Sequence, residues 1–167
     1  MVKSSDFYSQ IALGYNELHA EEQLKKAEFV KSKINLNGLL LDIGAGTCVS
    51  TKEFLDKAER IVALDPSKAM LLQCSSQEIL RVCAKAEKLP FPDAIFDSVV
   101  SLTALHHSDL EIAFAEIMRV AKPNAKIAVS FLKQSKKIVL AKRLFRDFDC
   151  FEEAKDLVFA KDFGKAK

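Results

Sequence analysis

LLLDIGAGTCVSTKEFL, residues 39–55, sets four apolar positions around one acid, follows them with two glycines, and runs on with helical spacing. The chain holds five glycines, and two of them, Gly44 and Gly46, stand together where this short apolar strand ends. Glycine lets the backbone turn sharply and lets another group come close to it. A helix over 47–57 would open just beyond the glycines, offering unpaired N–H groups and partial positive charge to an anionic ligand. A plain tight turn between strand and helix is the simpler explanation, and Gly-x-Gly alone does not separate the two.

Outward from this stretch, element types alternate. Residues 4–18 and 21–33 read as two amphipathic helices, the second with Leu24, Ala27 and Val30 spaced for one face. Strands are expected over 39–43, 61–64, 79–84, 95–102 and 126–132. Helices are expected over 47–57, 67–75, 109–120 and 135–148, with a last strand over 157–161. Continuous apolar strands alternating with helices predict a mostly parallel sheet covered on both faces, a doubly wound Rossmann-like α/β domain. The whole chain reads as one domain, a helical lid over 1–35 and the core over 36–167.

Composition narrows the setting. Hydrophobic residues make up 49% of the 167, as a folded globular chain requires. No apolar run approaches the roughly 18 residues of a membrane span, and 1–33 is too charged for a signal peptide. Cys48, Cys74, Cys83 and Cys150 are scattered without a Cys-x-x-Cys pair, so ordinary buried thiols in a cytoplasmic chain are expected, with neither zinc nor disulfides. Charge is uneven: residues 122–167 hold 12 Lys/Arg against 6 Asp/Glu, and the first 121 residues 13 against 17. Such a basic segment can meet RNA or form a solvated helix face.

In doubly wound sheets the ligand sits beyond the carboxyl ends of the strands. The strand over 61–64 ends there in Asp65, about twenty residues past the glycines, where an acid accepts hydrogen bonds from ribose hydroxyls. Asp65 is also suited to capping the helix after Pro66. Two nucleoside cofactors share this geometry. A nicotinamide dinucleotide needs a third glycine in Gly-x-Gly-x-x-Gly, and Val49 stands in that place. S-adenosylmethionine has no pyrophosphate, and Asp42 can orient its ammonium group directly or through water. The residues favour the sulfonium cofactor.

From about Tyr8 to Leu132 the chain resembles the class I S-adenosylmethionine-dependent methyltransferases, in particular the ubiquinone/menaquinone-biosynthesis branch. Leu41-Asp42-Ile43-Gly44-Ala45-Gly46-Thr47 is similar to the first motif of that family. Ala63-Leu64-Asp65-Pro66-Ser67 with Met70 resembles its ribose-binding loop. Ala86-Glu87-Lys88-Leu89-Pro90-Phe91-Pro92-Asp93 with Phe96-Asp97 resembles the loop beside adenine and the strand after it. Leu105-His106-His107 and Glu116-Ile117-Met118-Arg119-Val120-Ala121-Lys122-Pro123 follow in the family's order.

The resemblance implies that Tyr15, Asp42, Gly44, Ala45, Gly46, Asp65 and Pro66 bind the cofactor. It puts Ala86 or Glu87 beside adenine and Ser101 or Leu102 near the sulfonium, with Tyr8 and Tyr15 in an aromatic lid segment. His106 is the candidate for a chemical role, against a plain place in the cavity wall, and His107 is a weaker one; as neighbours that point apart they make a poor chelating pair, and no metal site is implied. The chemistry implied is in-line displacement of the methyl group by a nucleophile, helped by alignment and exclusion of water.

Three departures stand out. Lys85 replaces a common carboxylate. Lys122-Pro123-Asn124-Ala125 replaces Lys-Pro-Gly-Gly, with Asn124 suited to a left-handed turn. Only 35 residues follow Leu132, so a shortened C-terminal hairpin is expected, its last strand missing and a sheet edge open to a partner. The expected acceptor is a small molecule. An RNA or protein acceptor docked through the basic segment or a helper subunit, and a non-catalytic cofactor-binding subunit, are the alternatives.

Overall fold

A computed structural model describes residues 4–164, with side chains from residue 19 onward. Helix α1 (Ser4–Lys33) leads into β1 (Leu39–Ile43), β2 (Arg60–Asp65), the short α2 (Lys68–Leu71) and β3 (Ile79–Cys83). Then follow β4 (Phe96–Leu102), α3 (Leu110–Val120), β5 (Ala121–Leu132), α4 (Ile138–Leu144), β6 (Asp149–Glu153) and β7 (Asp156–Asp162). The sheet order is β3-β2-β1-β4-β5-β7-β6. The first five strands in this order pair in parallel, whereas β7 runs antiparallel to β5 and to β6. This is the doubly wound arrangement expected from the alternation, and strand order reverses at the β1–β4 seam.

Alternate residues of each strand feed opposite layers. Leu41 and Ile43 of β1 and Val62 and Leu64 of β2 join a core with α3 and α4, through Leu110, Ala113, Ile117 and Ala141. Leu40, Ile61, Ala63 and Val100 face the other way, toward Ala27 and Val30 of α1 and Ile34 just after it. In α3 the buried residues recur at helical spacing, and Asp109 caps the helix by accepting from the Ile112 N–H at 3.3 Å.

Several expectations are corrected. Residues 4–33 form one helix; Leu18-His19-Ala20-Glu21 contains neither glycine nor proline to break it. The helix expected over 47–57 is reduced to a 3-10 segment, Thr51–Phe54, and that over 67–75 to the four residues of α2. The C-terminal hairpin is not shortened: β6 and β7 are both present and cover β5, so the open edge expected beside β5 does not exist. The economy lies in α4, only 7 residues long. Asn124 adopts no left-handed turn; Lys122 to Ala125 are absorbed as an irregularity of β5, whose pairing slips between Phe96 and Ser98. Finally, Cys48 and Cys74 are disulfide-bonded, with Cα atoms 5.3 Å apart, while Cys83 and Cys150 are free. Their 26-residue separation hid the pairing. They meet because the turn after β1 and the chain after α2 pack side by side. Among the described residues no helix is long and apolar enough to cross a membrane.

Candidate functional site

The turn after β1 lies at the carboxyl ends of the strands. Gly44 has φ 77° and Gly46 φ 57°, a backbone region that side chains make costly. A Cβ built on Gly44 would lie 2.1 Å from the Cβ of Ala104, in the loop after β4. The space above the strand is thus filled in part by a side chain, Ala104, at a closeness only glycine permits. The N–H groups of the turn are used within the protein. Gly44 and Ala45 donate to the Leu64 carbonyl at 2.7 and 3.0 Å, and Gly46 donates to Asp65 Oδ2 at 2.9 Å. With no eight-residue helix following, the expected anion site at a helix N-terminus does not form.

Asp65 closes β2 and is 9% exposed. Its Oδ1 accepts from the Ser67 N–H at 2.7 Å, and Ser67, not Asp65, caps α2 by accepting from Met70 N. Burial raises the Asp65 carboxyl pKa against the lowering effect of these two N–H bonds. Each carboxylate oxygen keeps a lone pair beyond its backbone bond, which two ribose hydroxyls can use.

Two cavities flank the Gly44–Ala104 contact. One is lined by Gly44, Ala45, Gly46, Asp65, Pro66 and Leu102, and by Gln23, Thr103, His106 and His107. The other is lined by Gly44, Pro66, Lys85, Ala86, Glu87, His107 and Ser108. The turn, Asp65, Pro66, Ala86, Glu87 and Leu102 therefore share one surface. Glu87 is held there by accepting from the Asp109 N–H at 2.9 Å, at the start of α3.

Two named residues sit behind that surface. Ser101 is fully buried and donates to the Ile43 carbonyl at 2.8 Å, so it ties β4 to β1 and leaves the wall to Leu102. Asp42 is 1% exposed and accepts from the Thr51 hydroxyl at 2.6 Å. Burial pushes its pKa up to about 7, with Thr51 opposing the shift and nearby Asp65 adding to it. Both lie within β-strands, where side chains point to the two faces of the sheet and not beyond the strand ends. The side chains of Tyr8 and Tyr15 lie outside the described residues.

His106 lines the first cavity, and burial, with the charges of His107, Lys137 and Lys26, pushes its pKa down to about 4. It is neutral near pH 7 and a weak proton acceptor there. Among the described residues no group of three or more His, Cys, Asp or Glu could hold a metal ion.

Two features escaped sequence reasoning. Thr103 carries φ 57°, a conformation costing a threonine roughly 1–3 kcal/mol. Around it stands a buried polar group: Lys26, 2% exposed, donates to Thr103 Oγ1 at 2.9 Å and pairs with the fully buried Asp156 at 2.6 Å. Nothing local marks Lys26 or Asp156, because they meet only when α1 and β7 pack together. The second feature explains a quoted motif. Arg119 pairs with Glu116 and Asp93 and donates to the carbonyls of Leu89 and Phe91, while Glu116 accepts from the Leu89 N–H at 2.8 Å. These bonds pin the proline-broken loop beside Ala86 and Glu87. The basic segment is partly neutralised by Lys122–Asp97, Lys133–Glu152 and Arg143–Glu111 pairs.

Residues 41–129 match the family model described as a methyltransferase domain. A demethylmenaquinone methyltransferase from Corynebacterium urealyticum is 37% identical over 92 residues, covering 54% of this chain and 40% of that protein. The match thus spans less than half the length of such curated relatives. In structure, the chain is similar to an S-adenosyl-L-methionine-dependent methyltransferase from Methanococcus maripaludis, with TM-score 0.78, 16% identity and coverage of 99% and 94% of the two chains. It is also similar to a chain in the Haloferax volcanii complex between the Trm112 methyltransferase activator and a methyltransferase, with TM-score 0.75, 18% identity and coverage of 87% and 77%. S-adenosylmethionine is the cofactor that goes with this family and fold. With the glycine turn, the Asp65 loop and the α3 motif all inside the matched residues, the chain belongs to the methyltransferase-domain family.

Proposed function

We propose that the chain is an S-adenosylmethionine-dependent methyltransferase acting on a small-molecule acceptor. The observation that carries the reading is the hydrogen bond joining Gly46 to Asp65 in the lining of one cavity, inside a family match that includes both. When bound, S-adenosylmethionine supplies a sulfonium methyl group that passes to a nucleophile while the carbon–sulfur electron pair stays on sulfur. Asp65 would hold the ribose hydroxyls, and Ala86 and the apolar wall around Leu64 and Pro66 would pack the adenine. Gly44 to Gly46 would carry the amino-acid end, with Asp42 acting from behind through its neighbours. Residues of the cavity position the acceptor and exclude water.

The two cavity histidines both have lowered pKa values, chiefly through burial. They are poor bases, which suits an acceptor that is acidic or already nucleophilic. The curated relatives named as demethylmenaquinone methyltransferases favour a small molecule over RNA or protein, as does the partial neutralisation of the basic segment. Incubation of the chain with methyl-labelled S-adenosylmethionine and a cell extract tests this. Label is expected in the small-molecule fraction; label confined to RNA or protein would overturn the acceptor reading.

A further inference from the structure

Thr103 follows directly on β4 and lines the cavity beside Leu102 and His106. Three residues from separate elements converge on its hydroxyl: Lys26 of α1 at 2.9 Å, Ser130 of β5 at 3.1 Å and Asp156 of β7 at 3.5 Å. A threonine hydroxyl has two lone pairs and one proton. The Lys26 ammonium has no acceptor capacity, so it donates into one lone pair. Ser130 Oγ accepts from the Thr103 N–H at 2.9 Å, and among the described residues its hydroxyl has no partner besides Thr103. Across this contact either hydroxyl can donate to the other. Within the protein the Thr103 proton has Ser130 Oγ at 3.1 Å and Asp156 Oδ2 at 3.5 Å, the latter already receiving Lys26 at 2.6 Å, and a ligand oxygen in the cavity would compete with both.

We propose that Thr103 donates a hydrogen bond to an oxygen of the methyl acceptor, of the phenol or enol class or its anion. Lys26 and Asp156 are the positioning pair that fixes the donor. The inference rests on the methyltransferase reading. Three features support it. Thr103, in a left-handed backbone conformation, lines the cavity while its hydroxyl is held by Lys26. The Lys26 charge strengthens the hydroxyl as a donor. The histidines beside it leave an acceptor that must supply its own nucleophilic oxygen or oxygen-activated carbon.

The test uses the full chain, S-adenosylhomocysteine calorimetry, and labelled methyl transfer to demethylmenaquinol and catechol, with benzylamine and thiophenol as oxygen-free probes. T103V is expected to bind S-adenosylhomocysteine within about twofold of the unaltered chain and to lose about tenfold or more in transfer to the oxygen-bearing probes. T103S should restore most of that transfer. K26M should shift it as T103V does, with part recovered in K26R, a rescue that mere loss of stability would not produce. Full transfer by T103V overturns the inference, as does a tenfold loss of S-adenosylhomocysteine affinity in T103V, which would make Thr103 a cofactor contact. Transfer to none of the oxygen-bearing probes by a chain that binds S-adenosylhomocysteine overturns it while leaving the cofactor reading standing. Absence of S-adenosylhomocysteine binding by the unaltered chain overturns both.

Discussion

The Gly46 N–H donates to Asp65 Oδ2 at 2.9 Å, so the glycine turn and the acid 19 residues beyond it form one hydrogen-bonded unit. The same carboxylate accepts from Ser67 N at 2.7 Å. Asp65 thus shapes the loop in which its proposed ribose contact would lie. Asp65→Asn keeps the side chain's size but loses its charge and an acceptor. It is expected to lower S-adenosylhomocysteine affinity about tenfold or more, with one buried N–H left poorly paired at about 1–3 kcal/mol. Calorimetry and thermal unfolding read the two effects separately. Unchanged affinity would reduce Asp65 to a loop brace.

Gly44→Ala forces a Cβ to 2.1 Å from that of Ala104, at a φ of 77° that side chains rarely adopt. It is expected to cost both stability and S-adenosylhomocysteine binding. Adding Ala104→Gly removes the overlap but not the backbone strain of roughly 1–3 kcal/mol. The double variant should therefore recover part of the lost melting temperature. No recovery would show that Ala104 is not what crowds Gly44.

Asp42 gives a pH dependence opposite in sign to that of a salt-bridged acid. Burial raises its pKa from 3.8 to about 7 in the folded chain. The folded state therefore binds more protons than the unfolded one between these values. The stability this contributes is present below pH 3.8 and is lost as pH rises through about 7. Asp65, also raised by burial, adds in the same direction. Urea midpoints measured from pH 5 to pH 8 should fall more steeply for the natural chain than for Asp42→Asn. Parallel curves would contradict the burial assigned to Asp42.

The Cys48–Cys74 bond ties the turn after β1, which lines the first cavity, to the chain just beyond α2, whose Met70 lines it too. Thiol titration of the unfolded, unreduced chain should find two free thiols, Cys83 and Cys150. Reduction removes a cross-link closing a 26-residue separation, worth roughly 3 kcal/mol on chain-entropy grounds. Both the urea midpoint and S-adenosylhomocysteine affinity should drop. Four reactive thiols at the outset would show that the bond does not form.

The strands are legible wherever apolar runs are continuous: Leu39–Ile43 has the expected bounds, β3 and β4 differ by one residue at one end, and β2 by one residue at each end. Parallel strands buried on both faces leave that signal in any single chain. The helix after the glycine turn is shorter than its spacing suggests, because Thr51 and Phe54 are buried at helical spacing although only a 3-10 turn forms. β6 was missed since Asp149-Cys150-Phe151-Glu152-Glu153 lies at the sheet edge, half exposed and rich in acids. Gly44, Gly46 and Asp65 could be singled out by their spacing along the chain, and the structure brings all three to one cavity. Thr103, Lys26 and Asp156 could not, since only packing brings them together.

The most direct measurement is a calorimetric titration of the purified chain with S-adenosylhomocysteine and, separately, with NAD. A turn of two glycines with Val49 in the third place, joined to Asp65, predicts saturable binding of S-adenosylhomocysteine and none of NAD. Binding of NAD with no response to S-adenosylhomocysteine would contradict it.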